Sequence, residues 1–95
     1  MKGTLMDFQR EGQRLFLTDQ DQLQAEITFP VVNDQTWLME HIWVSDRPNK
    51  RLVARSLFDA VIELADAAHV DLLPLDPFAR HIFATDPAVK KYQHH

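Results

Sequence analysis

The feature that most constrains the fold of this chain is a change in the spacing of its apolar residues near Ser45. Before that point apolar and polar residues alternate, as at Ala25, Ile27 and Phe29, which is typical of half-buried β-strands. After it the spacing becomes that of an amphipathic helix, with the apolar stripe Val53, Leu57, Val61, Leu64 and Ala68. The chain has 95 residues, enough for one hydrophobic core, so a single α+β domain over residues 1–95 is predicted.

The alternating part predicts an antiparallel meander of three strands, at residues 14–18, 24–31 and 36–44. Pro30 indicates an edge or a bulge near the end of the second strand. The third strand is apolar on both faces, which favours a central strand covered on both sides. Its tryptophans, Trp37 and Trp43, are interpreted as residues of the core or of a homodimer interface. The alternative is that they line a ligand cleft.

The second part predicts a long helix over residues 50–68 and a fourth strand over residues 70–75. A strand, a crossover helix and a further strand form a βαβ unit, whose two strands run parallel. Asp76-Pro77 and Asp86-Pro87 each place a capping acid before proline, which predicts the starts of two short helices. The predicted fold is therefore a mixed sheet, in which the meander continues into a parallel pair, with one long and two short helices.

Composition excludes several classes of function. The net charge of −4 gives no electrostatic basis for binding nucleic acid, and the chain has no cysteine for a disulfide or a thiolate metal site. His41, His69 and His81 lack metal-ligand spacing, so no metal site is predicted. No apolar run approaches the roughly 20 residues of a membrane span, and residues 1–7 do not resemble a signal peptide. A cytoplasmic protein that does not bind membranes is predicted.

Basic residues crowd the predicted start of the long helix: Arg47, Lys50, Arg51 and Arg55. A helix N-terminus carries about half a positive charge, so acidic side chains are usual there and basic ones are unfavourable. A bound anion such as phosphate would make these cations favourable. The alternative is that long, solvated side chains bend away from the helix end at little cost.

Two residues are candidates for proton transfer. Asp76 follows the second parallel strand and would face the mouth of the same cleft, although the role of a helix N-cap would make it a poor base. His41 has a side chain that can take a proton near neutral pH. Its alternative role is that of a hydrogen-bonded residue in the core.

Three segments resemble the short, single-domain branch of the GNAT N-acetyltransferase superfamily: His41 to Val44 with the loop and helix that follow, Pro74-Leu75-Asp76-Pro77-Phe78, and Thr85-Asp86-Pro87. In that branch a His-Thr-Glu-Val strand leads to an Arg-Gly-x-Gly-hydrophobic-Ala loop, and Pro-Leu-Cys-Pro-Phe follows. The resemblance implies that acetyl-CoA binds between two splayed parallel strands. Its pyrophosphate would lie on residues at the helix start, namely Asn49, Lys50, Arg51, Leu52, Val53 and Ala54, with Arg55 adding charge. Val44 would pair its backbone with the pantetheine arm, and Phe78 and Ile82 would flank the cofactor.

Four departures from the family pattern bear on cofactor binding and catalysis. Lys50 and Leu52 replace the two loop glycines, Trp43 replaces the Glu, and Asp76 replaces the Cys. The leading hypothesis is an acetyl-CoA-dependent N-acetyltransferase that acts on a small amine, a polyamine or a protein lysine. Catalysis would use His41 as base and a backbone N–H near Val44 to polarise the thioester. The alternative is a noncatalytic CoA sensor or a protein-interaction module.

Overall fold

The structure, a computed structural model, describes residues 7–95. Most of the segment on which the signal-peptide prediction rests, residues 1–7, lies outside the described residues. The strands are β1 (Gln9–Arg10), β2 (Arg14–Asp19), β3 (Gln22–Thr28), β4 (Val31–Asn33), β5 (Thr36–Met39), β6 (His41–Val44) and β7 (Asp71–Pro74). The helices are α1 (Lys50–Ala68), α2 (Pro77–Thr85) and a final 3-10 helix (Pro87–Tyr92). The predicted α+β class is confirmed. The long helix has the predicted bounds, and the two short helices begin at the prolines of the two Asp-Pro pairs.

The strands form two sheets, one antiparallel in the order β1-β2-β3-β6 and one mixed in the order β4-β5-β7. The meander appears as β2 and β3, which reverse through Gln20 and Asp21, both at positive φ. The predicted parallel pair is β5 with β7, whose register matches Trp37 with Leu72. β5 precedes α1, with β6 between them in sequence, and β7 follows α1, so β5, α1 and β7 form the βαβ unit that the change of period predicted.

The prediction of one continuous strand over residues 36–44 is wrong. The segment is divided at Glu40 into β5, which pairs with β4 and β7, and β6, which pairs with β3. The preceding predicted strand, residues 24–31, is also divided, because Phe29 and Pro30 carry the chain from β3 in one sheet to β4 in the other. The two halves of the segment therefore diverge from a common point.

The prediction that both faces of this segment are covered holds for β5 alone. Trp37 is buried and lies 5.3 Å from the ring of Phe29, whereas Trp43 on β6 is 40% exposed. Among the described residues, the side chains of β6 on the outer face of the antiparallel sheet, His41 and Trp43, are exposed to solvent. Trp37 is thus a core residue, and Trp43 alone is accessible to a partner.

The core lies between the sheets and the helices. α1 buries Val53, Leu57 and Val61 against β3, β6 and β7, while Phe58 meets Phe83 of α2 edge to face with ring centroids 5.3 Å apart. The helix ends at His69, whose backbone adopts the left-handed conformation. Within residues 7–95, no helix is both long enough and apolar enough to cross a lipid bilayer.

Candidate functional site

A cavity of about 530 Å³ lies where β6, the first turns of α1 and the first turns of α2 meet. Strand β6 contributes two apolar residues, α1 two basic residues and an alanine, and α2 a phenylalanine and a histidine: Ile42, Val44, Lys50, Arg51, Ala54, Phe78 and His81. Volumes of 300–1,000 Å³ are usual for sites that bind small molecules and cofactors. The cavity has the size, the apolar wall and the charged rim of a site for an amphipathic anion.

The start of α1 brings unpaired charge to this cavity. Over residues 7–95 neither Lys50 nor Arg51 forms an ion pair, and the first turn contains no acidic residue. The N-cap residue, Asn49, makes no capping hydrogen bond with its side chain, because its Oδ1 accepts instead from Arg47 Nε at 2.8 Å. Both cations therefore add to the positive end of the helix dipole without compensation.

Backbone donors are also free at this helix start. The N–H of Lys50 donates to Arg47 O at 3.1 Å, and the N–H of Val53 donates to Asn49 O at 3.0 Å. Between them, the N–H groups of Arg51 and Leu52 have no acceptor within the described part of the chain. Two free amides beside two free cations form an arrangement that binds phosphate oxygens.

A gap between β6 and β7 opens beyond Met39, where the parallel pairing of β5 with β7 ends. Met39 O accepts hydrogen bonds from the N–H of Leu75 at 2.9 Å and of Asp76 at 3.1 Å, and this is where backbone pairing between the two strands ends. The next N–H, that of Glu40, donates to Thr28 O at 3.0 Å and belongs to the other sheet. Beyond Met39 the sheet is open.

The direction of the β6 amides follows from its pairing with β3. Ser45 N–H donates to Gln24 O at 2.8 Å, so Ser45 occupies a hydrogen-bonded position of the antiparallel ladder. Hydrogen-bonded positions alternate with positions whose amides face away, and Val44 and Ile42 take the second kind. Their N–H groups therefore face the gap. That of Ile42 donates to Asp76 Oδ2 at 3.0 Å, and that of Val44 has no acceptor among the residues that the structure describes.

Asp76 is the capping residue predicted for α2. Its Oδ1 accepts from the N–H groups of Phe78 at 2.8 Å and Ala79 at 3.1 Å. With Oδ2 engaged by Ile42, both carboxylate oxygens are bound to backbone donors, and the residue is buried. Its surroundings are those of a structural carboxylate.

His41 lies on the other side of the strand from the cavity. Side chains alternate along β6, so His41 and Trp43 occupy the outer face while Ile42 and Val44 line the cavity. The His41 side chain is 51% exposed, and its Nε2 lies 3.8 Å from Glu26 Oε2. An amine could meet His41 only by approaching over the outer face of the sheet.

Five of the ten residues predicted to bind the cofactor line the cavity: Val44, Lys50, Arg51, Ala54 and Phe78. The other five lie elsewhere. Val53 and Ile82 are buried in the core, Leu52 is 52% exposed and does not line the cavity, and Asn49 binds Arg47. Arg55 donates to Asp59 Oδ1 at 2.9 Å and to Asp86 Oδ2 at 2.7 Å, which joins α1 to the final 3-10 helix. These carboxylates outweigh the effect of partial burial, so the pKa of Arg55 is raised.

Two lining residues were not predicted, Ile42 and His81. Both could have been found from spacing. Ile42 is two residues from Val44 and shares its strand face, and His81 is three residues from Phe78 and shares its helix face. Among residues 7–95 no group of three His, Asp or Glu side chains could hold a metal ion.

Comparison with known proteins adds evidence of a different kind. A family profile described as GCN5-related N-acetyl-transferase matches residues 14–92. No functionally curated protein matches the sequence.

Two solved structures resemble the fold. The solution structure of a protein described as a GCN5-like N-acetyltransferase from Staphylococcus aureus aligns with a TM-score of 0.78 at 21% identity, covering 93% of this chain and 87% of that one. The crystal structure of the aminoglycoside 6'-N-acetyltransferase from Enterococcus faecium aligns with a TM-score of 0.55 at 16% identity, covering 67% of this chain and 38% of that one. At such low identities these likenesses concern the fold alone.

Proposed function

The chain belongs to the GCN5-related N-acetyltransferase family, and we propose that it binds acetyl-CoA in the cavity and transfers the acetyl group to an amine. The observation that carries the proposal is the start of α1. Lys50, Arg51 and the free N–H groups of Arg51 and Leu52 together offer charge and hydrogen bonds to a diphosphate. A nonspecific apolar cavity would need none of these groups.

The residues that replace the family's loop glycines are compatible with this role. Lys50 lines the cavity and adds an ammonium group to it, while Leu52 does not line the cavity. Further along the cavity, the N–H of Val44 faces the gap and can donate to the pantetheine arm. Phe78 and Ile42 provide apolar surface on either side of that arm.

The transfer itself would take place at the gap between β6 and β7. An amine on the outer face loses a proton to His41, or to a water that His41 holds, and its nitrogen attacks the thioester carbonyl carbon. The carbon–sulfur bond then breaks, the second proton of the attacking nitrogen passes to the CoA thiolate, and CoA leaves as the free thiol. His41 and the cavity lie on opposite faces of the sheet, so the two substrates would approach from opposite sides.

The first test is calorimetric titration of the wild-type domain with acetyl-CoA and with CoA at low and at high salt. Exposed cations at the cavity mouth make binding salt-sensitive, so affinity should fall as salt is added. Absence of CoA binding at low ionic strength would contradict the proposal.

The second test concerns His41. His41→Ala should lower turnover by roughly 100-fold, the ordinary contribution of a general base, and leave acetyl-CoA affinity unchanged. His95→Ala, which removes an exposed histidine near the chain end, is the matched control. Equal turnover in the two variants at equal folded fraction would remove His41 from the reaction.

A noncatalytic CoA sensor is the second candidate function. It is favoured by Asp76, whose two oxygens are occupied by backbone donors at the position of the family's Cys. The two functions separate in one assay, in which a small amine, a polyamine and a lysine peptide are offered with acetyl-CoA. Binding without acetylation of any of them would select the sensor.

Cytoplasmic location and a homodimer through Trp43 stay predictions that a fractionation and a sedimentation experiment can test.

A further inference from the structure

Asp76 makes one hydrogen bond more than its role as a helix cap requires. The cap of α2 is complete with Oδ1 alone, which accepts from Phe78 and Ala79. The second oxygen reaches across the gap to the N–H of Ile42, 34 positions earlier in the chain. This bond joins β6 to the start of α2 at the place where backbone pairing between the strands has ended.

A second Asp-Pro pair in the same chain provides an internal comparison. Asp86 caps the 3-10 helix through Oδ1, which accepts from the N–H of Ala88 at 3.0 Å. Its second oxygen binds the guanidinium of Arg55 at the surface of α1. An Asp-Pro pair therefore does not by itself place the second carboxylate oxygen in the gap. The hydrogen bond from Ile42 to Asp76 depends on the position of Asp76 next to the cavity.

We propose that Asp76 is a positioning residue, whose carboxylate sets the distance between β6 and α2 and thereby the geometry in which the cavity receives the acyl-CoA arm. The proposal rests on the proposed acetyl-CoA site. The cavity wall on one side is Ile42 and Val44 and on the other is Phe78, and the Asp76 bonds connect these two sides. By occupying the Ile42 amide, Asp76 also leaves the Val44 amide as the strand donor for the ligand. The arm then pairs with β6 in one register.

The test separates the cap from the cross-gap bond. In Asp76→Asn one oxygen remains for the cap, and the amide group that replaces Oδ2 has donors only, which cannot bind the N–H of Ile42. In Asp76→Ser the single oxygen serves the cap and no atom remains for Ile42. Amide hydrogen exchange identifies the variant that keeps protection at Phe78 and Ala79, and that variant is used for binding. Its Ile42 amide should exchange ~10-fold faster or more, as the loss of one hydrogen bond implies.

Two ligands then distinguish positioning from general loss of structure. Acetyl-CoA carries the arm, whereas ADP offers a diphosphate to the start of α1 without any arm. In the chosen variant the Kd for acetyl-CoA should rise ~5- to 10-fold, on the scale of one hydrogen bond, while the Kd for ADP stays within ~2-fold. Asp86→Ser, which disturbs the other Asp-Pro cap, should leave both constants unchanged.

The possible failures have different meanings. If wild-type protein does not bind acetyl-CoA, the proposed function itself is wrong. If wild-type protein binds but the variant weakens both ligands equally, or neither, Asp76 is a structural cap and the positioning role is overturned.

Discussion

The two main helices begin at the same cavity, and their first turns are built in opposite ways. α2 starts with Asp76 and Pro77, so its free amides are bound by a carboxylate within the chain. α1 starts with Asn49, whose side chain caps nothing, and continues with Lys50 and Arg51. A side-chain cap thus binds the first amides of α2, whereas the first turn of α1 has no side-chain cap. The stability of α1 comes from its buried face instead, so its first turn is free to bind a ligand.

The largest expected effect is on stability. Asp76→Ala removes the cap of α2 and leaves the N–H of Ile42 without its partner at the edge of the cavity, which should lower the free energy of unfolding by about 2–4 kcal/mol. Asn49→Ala, the equivalent change at α1, should cost less than about 0.5 kcal/mol, because Asn49 makes no capping bond. Urea denaturation of both variants measures the difference. Similar losses would show that the two helix starts do not differ as described.

The next effect is on binding. Reversing both charges, Lys50→Glu with Arg51→Glu, should weaken acetyl-CoA binding by roughly 100-fold, since two charge-assisted contacts are replaced by repulsion. Lys91→Glu, a reversal far along the chain on the 3-10 helix, is the control for half of that change in net charge. Calorimetry gives both constants. A control that weakens binding as much as the double variant would mean that overall charge, and not the start of α1, attracts the ligand.

A smaller effect follows from making the start of α1 resemble that of α2. Asn49→Asp adds an acid near the positive end of the helix, which should raise the free energy of unfolding by about 0.5 kcal/mol. The same charge would repel a diphosphate, so the acetyl-CoA Kd should increase ~3-fold. Thermal denaturation and titration measure the pair of effects. Tighter binding in this variant would contradict the assignment of the phosphates to this helix start.

The smallest effect concerns the third helix start, at Asp86. The hydrogen bond from Arg55 and that from the Ala88 amide hold the pKa of Asp86 below its usual value. A carboxylate with a lowered folded-state pKa contributes stability above its unfolded pKa of about 4, and that stability is lost as pH falls through the folded pKa. Asp86→Asn, which keeps the cap but cannot titrate, should therefore lose less stability than the wild type between pH 5 and pH 3. If the melting temperatures of the two proteins fell equally between pH 5 and pH 3, the role of the Asp86 carboxylate in acid stability would be contradicted.

Features that depend on neighbouring residues were predicted well. The change of period near Ser45 gave the α+β class and the bounds of α1, and the Asp-Pro pairs gave the starts of the two short helices. The cluster of cations between Arg47 and Arg55 indicated the region of the cavity, because its charge is visible in the order of the residues alone. Alternation along the strand also separates His41 and Trp43 from Ile42 and Val44, but which of these two faces borders the cavity depends on where α1 and α2 pack.

Periodicity, capping and local charge are determined by the sequence itself, because each involves groups within about one helical turn or one strand pleat. Tertiary structure alone decided where the segment 36–44 divides, since only the competing strands β3 and β7 require it to diverge at Glu40. It also decided that the Asp76 carboxylate accepts from the N–H of Ile42 and that Arg55 binds the carboxylate of Asp86. Those contacts join residues 34 and 31 positions apart, and their geometry exists only once the helices have packed on the sheets.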